Sequence, residues 1–295
     1  AASAVALGDE RSKARFLPDI ATGRTKATLA FLDSKLDWTA DAVSMRAARD
    51  GNSFVLSGEK RFVPWAHVAD VLLVAARTDG GLTLFAVPRD AVRTSENVEI
   101  DHTSRTSTVR FENVRVGSED VVGSVDQGWS ILEPVLQRAA IGACAEMLGA
   151  ARRCMEMSVE YAKVRQQFGQ PIGTFQAIKH MCAEMLLDVE NSFAATYYAA
   201  WALNAGAADV GLAVSCAKAY VSEASRKVCG NSIQVHGGIG FTWEYDLHLY
   251  FKRAKHNEPL YGDADFHRER ALQLKLARDL TEAEEPQREP ALASD

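Results

Sequence analysis

The hydrophobic pattern of this chain changes period once, near Gly128, and that change constrains the fold more than any motif. From residue 25 to about 123, short runs rich in Val, Phe, Leu and Thr alternate in period two between turn residues. Examples are Ser53-Phe-Val-Leu, Val71-Leu-Leu-Val-Ala-Ala and Leu82-Thr-Leu-Phe-Ala-Val. Successive strand side chains point to opposite faces, so such alternation marks strands with one buried face. The last two runs are joined across Thr78-Asp-Gly-Gly, which predicts a hairpin in an antiparallel sheet or barrel. No helix of three turns fits this region. After Gly128 the period becomes 3.6 and predicts helices over 129–164, 174–205, 208–232, 244–256 and 265–279. In the first of these, Ile131, Leu132, Val135, Met147, Leu148, Met155 and Val159 fall on one stripe. Long antiparallel helices with short connections pack as a bundle.

Four parts follow, within an α+β chain of 295 residues: 1–24, the end of a helical region stopping near Gly23; 25–125, the β domain; 126–280, the bundle; and 281–295, a tail. The tail holds five acids against one arginine and supplies −4 of the net charge of −6, so disorder is expected there. The remainder is near neutral, with no basic face suited to nucleic acid or an anionic membrane. No apolar run reaches 18 residues, and no secretory signal is visible. Five cysteines, an odd number without C-x-x-C spacing, lie in helical patterns and read as buried thiols of a reduced, cytoplasmic protein. The histidines are scattered with no metal-binding pair on a helix face. The chain begins at Ala1 without a methionine, so its natural beginning is expected to lie further upstream.

Two glycine-bearing segments interrupt the helical half. Arg165-Gln-Gln-Phe-Gly-Gln-Pro-Ile-Gly-Thr-Phe-Gln176 reads either as an interhelical loop whose Phe168 plugs the core, or as an anion site. In the second reading Arg165 forks onto phosphate oxygens and Gln176 bonds a sugar or base. Gln234-Val-His-Gly-Gly-Ile-Gly-Phe241 lies between the third and fourth helices. Its glycines either cap a helix or let backbone N–H groups approach a pyrophosphate. It does not follow a strand, which argues against a Rossmann site.

Taken in order, a β region, a long helix, Tyr161-Ala-Lys-Val-Arg-Gln-Gln-Phe-Gly-Gln-Pro-Ile and then Gln234-Val-His-Gly-Gly-Ile-Gly-Phe resemble the acyl-CoA dehydrogenase family over residues 5 to about 275. The resemblance implies an N-terminal helical domain, a middle antiparallel β domain and a C-terminal four-helix bundle. It also implies a tetramer that binds FAD and oxidises an acyl-CoA to the trans-2-enoyl-CoA, with an electron-transfer flavoprotein as acceptor. Asp9 to Gly23 matches only the last helix of the N-terminal domain, so 1–24 is a remnant of it.

In this family each FAD lies on one subunit's β domain and is closed over by its neighbour. The neighbour's contribution is matched here by Arg165, Phe168, Gln176, Gln234, Val235, His236, Gly237 and Gly238. The same-subunit contribution is not. The family's L-T-E-P-x-x-G-S-D is replaced by Phe31-Leu-Asp-Ser-Lys-Leu-Asp, and its W-I-T after G-x-K by Phe62-Val-Pro. Pro64 offers neither hydroxyl nor N–H.

The family's catalytic glutamate follows a tyrosine, and the matching stretch Tyr261-Gly-Asp-Ala puts Gly262 at its place. The alternative family position, on the first bundle helix, is Ala139, with Glu146 two turns on as a structural polar contact. Asp263, Asp265 and His267 are the acids and base nearby, and Asp263 is either a substitute base or a solvated helix cap. The pattern is that of heteromeric (α2β2) acyl-CoA dehydrogenases of actinobacterial sterol side-chain degradation. There a glutamate-bearing partner subunit supplies the base, and FAD sits at the shared interface. A self-sufficient homotetramer using Asp263, a scaffold that lost catalysis, and an acyl-CoA binder without redox chemistry remain as alternatives.

Overall fold

A computed structural model describes residues 1–284, with side chains to residue 280. The chain divides into two compact units, Ala1–Ala139 and Ala140 onward, so the division falls inside a helix beyond the change of period. Among the described residues no helix is long and apolar enough to cross a membrane.

The first unit opens with α1 (Ala2–Ala6) and α2 (Glu10–Ala21). Asp9 caps α2, its carboxylate accepting the Ser12 N–H at 3.1 Å. Seven strands follow: β1 (Ala27–Ala30), β2 (Arg46–Asp50), β3 (Ser53–Pro64), β4 (Val71–Arg77), β5 (Leu82–Pro88), β6 (Arg93–Glu96) and β7 (Thr106–Gly117). They form one sheet in the order β1-β4-β2-β3-β7-β6, with β5 also paired to β4. The β4–β5 hairpin is antiparallel with Arg77 opposite Leu82, as the Thr78–Gly81 turn predicts.

The sheet is not wholly antiparallel, which corrects the sequence expectation. β1 runs parallel to β4, Ala27 opposite Val71, and β2 meets β4 in parallel at Arg46 and Arg77. Parallel neighbours need a long crossover, and the β2–β3 hairpin between β1 and β4 supplies it. Alternating burial holds in β7, but β4 and β5 are buried on both faces. Phe54 and Phe85 meet at 5.1 Å in the core, with Leu56, Val87, Val109 and Phe111 around them.

The first unit also buries a charge pair. Lys60 Nζ lies 2.5 Å from Asp33 Oδ1 and donates to Phe31 O at 2.9 Å, with both side chains essentially inaccessible. Asp33 Oδ2 accepts the backbone N–H of Ser44 (2.5 Å) and of Met45 (2.7 Å). Burial lowers the Lys60 pKa to about 8 against the opposing pull of Asp33.

The helical half is built from α3 (Gly128–Val164), whose later turns lie in the second unit, with α4 (Gln176–Ala205), α5 (Val210–His236), α6 (Leu247–Asn257) and α7 (Ala264–Glu284). A two-stranded hairpin, β8 (Gln166–Gln167) and β9 (Gln170–Pro171), separates α3 from α4. α5 is rich in Ala and Ser and buried on nearly every side, so neighbours approach its backbone closely. Leu148, Ala151 and Cys154 of α3 pack on Met185 and Val189 of α4 and Val228 of α5. Ser225 and Ser232 of α5 donate to Met147 O (3.1 Å) and Cys154 O (3.0 Å), tying α3 to α5.

Three sequence expectations change here. α5 ends at His236 rather than residue 232, so Gln234-Val-His is its last turn and not a linker. α7 extends through Glu284, so 281–284 are helical, and the rest of the predicted disordered tail lies outside the described residues. The cysteines are all free, but only Cys144, Cys154 and Cys229 are buried; Cys216 is exposed.

Candidate functional site

The two glycine segments converge on one end of the bundle. α3 stops at Val164, and the Arg165 N–H still donates to Tyr161 O (2.8 Å) while Arg165 O accepts from Ile172 (2.8 Å). The guanidinium of Arg165 is exposed and has no partner among the described residues. Phe168 and Gly169 take consecutive left-handed conformations (φ 54 and 78), the geometry of a two-residue type I′ hairpin turn. Phe168 is therefore 91% exposed, edge-on to Phe175 at 6.0 Å. It does not plug the core, because the turn projects it outward. Gln176 opens α4 and is exposed.

At the end of α5, Gln234 is exposed, whereas Val235 and His236 are buried. Val235 is part of the bundle core, so its side chain is withdrawn from the surface. His236 Nδ1 donates to Ser232 O at 2.8 Å, and its ring stacks on Tyr161 at 4.2 Å with Tyr245 edge-on at 5.3 Å. Burial lowers its pKa against the opposing bond to Ser232, and Nε2 has no partner among the described residues. The His236–Tyr161 stack brings the last turns of α3 and α5 together. Gly237 (φ 66) ends the helix, and Gly237 and Gly238 face open space: a Cβ on either would meet nothing within 4 Å. An unpaired guanidinium, two exposed amide side chains and open glycine backbone at one helix-bundle end suit the oxygens of a diphosphate. The residues present thus fit the diphosphate of a bound FAD.

The second candidate region, between α6 and α7, is closed. Tyr261 (φ 61) and Gly262 (φ 104) turn the chain in the left-handed region. A Cβ on Gly262 would overlap the Phe266 ring and lie 2.9 Å from His267 Nε2. Lys218 of α5 is fully buried beneath this turn and donates to Gly262 O (2.8 Å), Glu258 O (2.9 Å) and Ser222 Oγ (3.0 Å). Burial lowers its pKa to about 8, offset in part by Cys144, Asp263 and Glu258. His267 Nε2 donates to Tyr261 O at 2.9 Å, and burial brings its pKa down to about 4.

The acids near this turn are engaged. Asp263 Oδ1 accepts the Phe266 N–H (2.9 Å), making it the N-cap of α7 on an exposed loop. Asp265 pairs with Arg268 at 2.9 Å. Glu146 pairs with Arg253 and accepts from Asn257 Nδ2 at 2.9 Å, joining α3 to α6. In the first unit, Pro64 closes β3 between Phe62 (φ 49) and Trp65 (φ 54), both exposed, and its carbonyl accepts from Thr28 Oγ1 at 2.6 Å.

Sequence reasoning missed both buried lysines. A single Lys inside the Ser215-Cys-Ala-Lys-Ala-Tyr run was a readable signal for Lys218. Nothing local marked Asp33 as the partner of Lys60, since tertiary folding alone joins them.

Residues 126–274 match the family model described as the acyl-CoA dehydrogenase C-terminal domain, and residues 37–114 match that of the middle domain. The chain is 32% identical over 257 residues to the mitochondrial short/branched chain specific acyl-CoA dehydrogenase of Bos taurus, covering 84% of this chain and 59% of that protein. It is 29% identical to the glutaryl-CoA dehydrogenase of Desulfococcus multivorans, covering 88% of this chain and 69% of the relative. The butyryl-CoA dehydrogenase structure from Megasphaera elsdenii superposes with a TM-score of 0.88 at 25% identity, over 93% of this chain and 74% of that one. The chain thus spans about three fifths of the first of these relatives. The helical half, the curled sheet and these matches agree: the chain belongs to the acyl-CoA dehydrogenase family.

Proposed function

We propose that this chain is one subunit of an FAD-dependent acyl-CoA dehydrogenase of α2β2 type, serving the FAD of a partner subunit and supplying no base of its own. The observation that carries this reading is the contrast between an open diphosphate-suited end at Arg165 and Gln234–Gly238 and a sealed turn at Gly262. Bound FAD supplies the acceptor for hydride from the acyl Cβ. The residues of this chain bind and orient: Arg165 forks onto diphosphate oxygens, Gln176 and Gln234 donate amide N–H groups, and the backbone at Gly237 and Gly238 approaches closely. A general base must come within about 3 Å of the proton it takes. Gly262 carries no such group, and Asp263 spends its carboxylate on a helix cap. A glutamate-bearing partner therefore completes the site.

Relatives named as a caffeyl-CoA reductase–Etf complex subunit and, among solved structures, an electron transferring flavoprotein support such a flavoprotein as electron acceptor. The substrate reading is an acyl-CoA ester, with a steroid-linked acyl group as the specific form to test. The decisive experiment is the flavin-to-chain ratio of the purified native assembly with intact masses of every subunit. One FAD per two chains with a second, glutamate-bearing chain supports the heteromer. One FAD per chain with a single mass overturns it and returns Asp263 to the list of bases.

A further inference from the structure

Inside the bundle α5 meets its two long neighbours in different ways. It packs on α4 through Ala199, Ala202, Ala213 and Ala217, apolar contacts that hold two helices together without fixing where one stands along the other. Towards α3 it presents Ser225, Cys229, Ser232 and His236, at spacings of 4, 3 and 4, which fall on one stripe of the helix. Facing them on α3 are Met147, Cys154, Ser158 and Tyr161, at spacings of 7, 4 and 3. The bonds across this seam are directional. Ser225 Oγ donates to Met147 O (3.1 Å), Ser232 Oγ to Cys154 O (3.0 Å) and Ser158 Oγ to Ser232 Oγ (2.8 Å). All three serines are essentially inaccessible, so a hydroxyl that lost its acceptor would find no water to replace it.

The seam runs out at the open end of the bundle. His236 Nδ1 donates to Ser232 O (2.8 Å), and its ring lies 4.2 Å from that of Tyr161 with the planes 24° apart. Tyr161 O accepts the Arg165 N–H, and Gly237 follows His236 directly. Arg165 leaves one helix and the Gly237–Gly238 backbone leaves the other, so their spacing depends on how far α5 stands along α3. A slip of one residue moves a helix by about 1.5 Å, enough to break each of these bonds.

We infer that Ser158, Ser232 and His236 are positioning residues for this end: they fix the axial register of α5 on α3 and, through it, the spacing of Arg165 from the Gly237–Gly238 backbone. The inference rests on the reading of that end as the seat of the FAD diphosphate. Ser158 and Ser232 lie too deep to touch a ligand, so changing them acts on flavin only through the register.

The test is the rate of flavin release from the native assembly, followed by recovery of flavin fluorescence, with the melting temperature of each variant beside it. Arg165→Ala is the reference for the site, and Ser225→Ala the control for a seam bond lost about two helical turns further away. Ser232→Ala and Ser158→Ala should each release flavin about fivefold to tenfold faster, and His236→Leu at least as fast. His236→Phe, which keeps a ring on Tyr161, should stay within about twofold of wild type. Ser225→Ala should lower the melting temperature as much as Ser232→Ala and leave flavin release unchanged. Hydrogen exchange of the Arg165 amide in the flavin-free assembly should quicken in Ser232→Ala and not in Ser225→Ala. Wild-type release in Ser232→Ala and His236→Leu, or equal acceleration in Ser225→Ala, overturns the positioning role and leaves Arg165 in the site. Unaltered release in Arg165→Ala overturns the reading of the end itself, and this inference with it.

Discussion

Two left-handed glycines at turns of the second unit have opposite surroundings. Around Gly237, as around its neighbour Gly238, a side chain would enter open space; around Gly262 it would strike Phe266 and His267. The sequence shows both as glycine in a turn, yet one leaves backbone free for a ligand and the other lets two helices close on a buried lysine. Glycine at a family's functional position is therefore ambiguous until the space beside it is known.

The sharpest way to break this comparison is Gly262→Glu. The variant should lose about 3 kcal/mol or more in urea unfolding, since the side chain meets both the positive φ and the Phe266 ring. A stable variant that turns over acyl-CoA without a partner would show that the turn is not sealed. Lys218→Met should cost nearly as much, about 2–3 kcal/mol, because Gly262 O and Glu258 O lose their donor inside the bundle.

The pH dependence sharpens the same contrast. His267 has a folded-state pKa near 4, below its ordinary value, so between pH 6.5 and 4 the unfolded chain binds the proton and the folded chain does not. Stability should then fall as the solution is acidified through that window, by up to about 3 kcal/mol, and His267→Gln should flatten the fall. Lys60 and Lys218, with folded pKa values near 8, should raise stability from pH 8 towards 9. Above pH 9 the raised thiol of Cys144, at about 12, acts in the opposite direction.

At the open end the effects are on binding and not on folding. Arg165→Ala should loosen FAD retention in the native assembly by about tenfold to a hundredfold with unchanged melting, as for loss of a charge-assisted phosphate contact. Unaltered flavin occupancy would remove Arg165 from the site. The smallest effect is expected from Asp263→Ala, about 1 kcal/mol of stability for a lost N-cap and no change in kcat of the complex. A collapse of kcat with intact flavin would instead make Asp263 the base.

Much of this was legible in the chain itself. The period change at Gly128 located the transition from strands to helices, and Thr78-Asp-Gly-Gly located the β4–β5 turn, because both signals are local. The parallel β1–β4 pairing was not legible, since register between distant strands depends on which faces the core accepts. The motif residues were readable by type, but Val235 and His236 turned inward and Phe168 outward for reasons of helix phase and turn handedness.

The sequence alone determined the order of the two halves, the family and the residue types at both glycine turns. Tertiary structure decided which turn is open, which acid is a cap, and that Lys60 has a carboxylate partner while Lys218 has carbonyl and hydroxyl acceptors. The physical reason is range. Period, turns and motifs arise from neighbours along the chain, whereas burial, ion pairing and free volume arise from residues that only folding brings together.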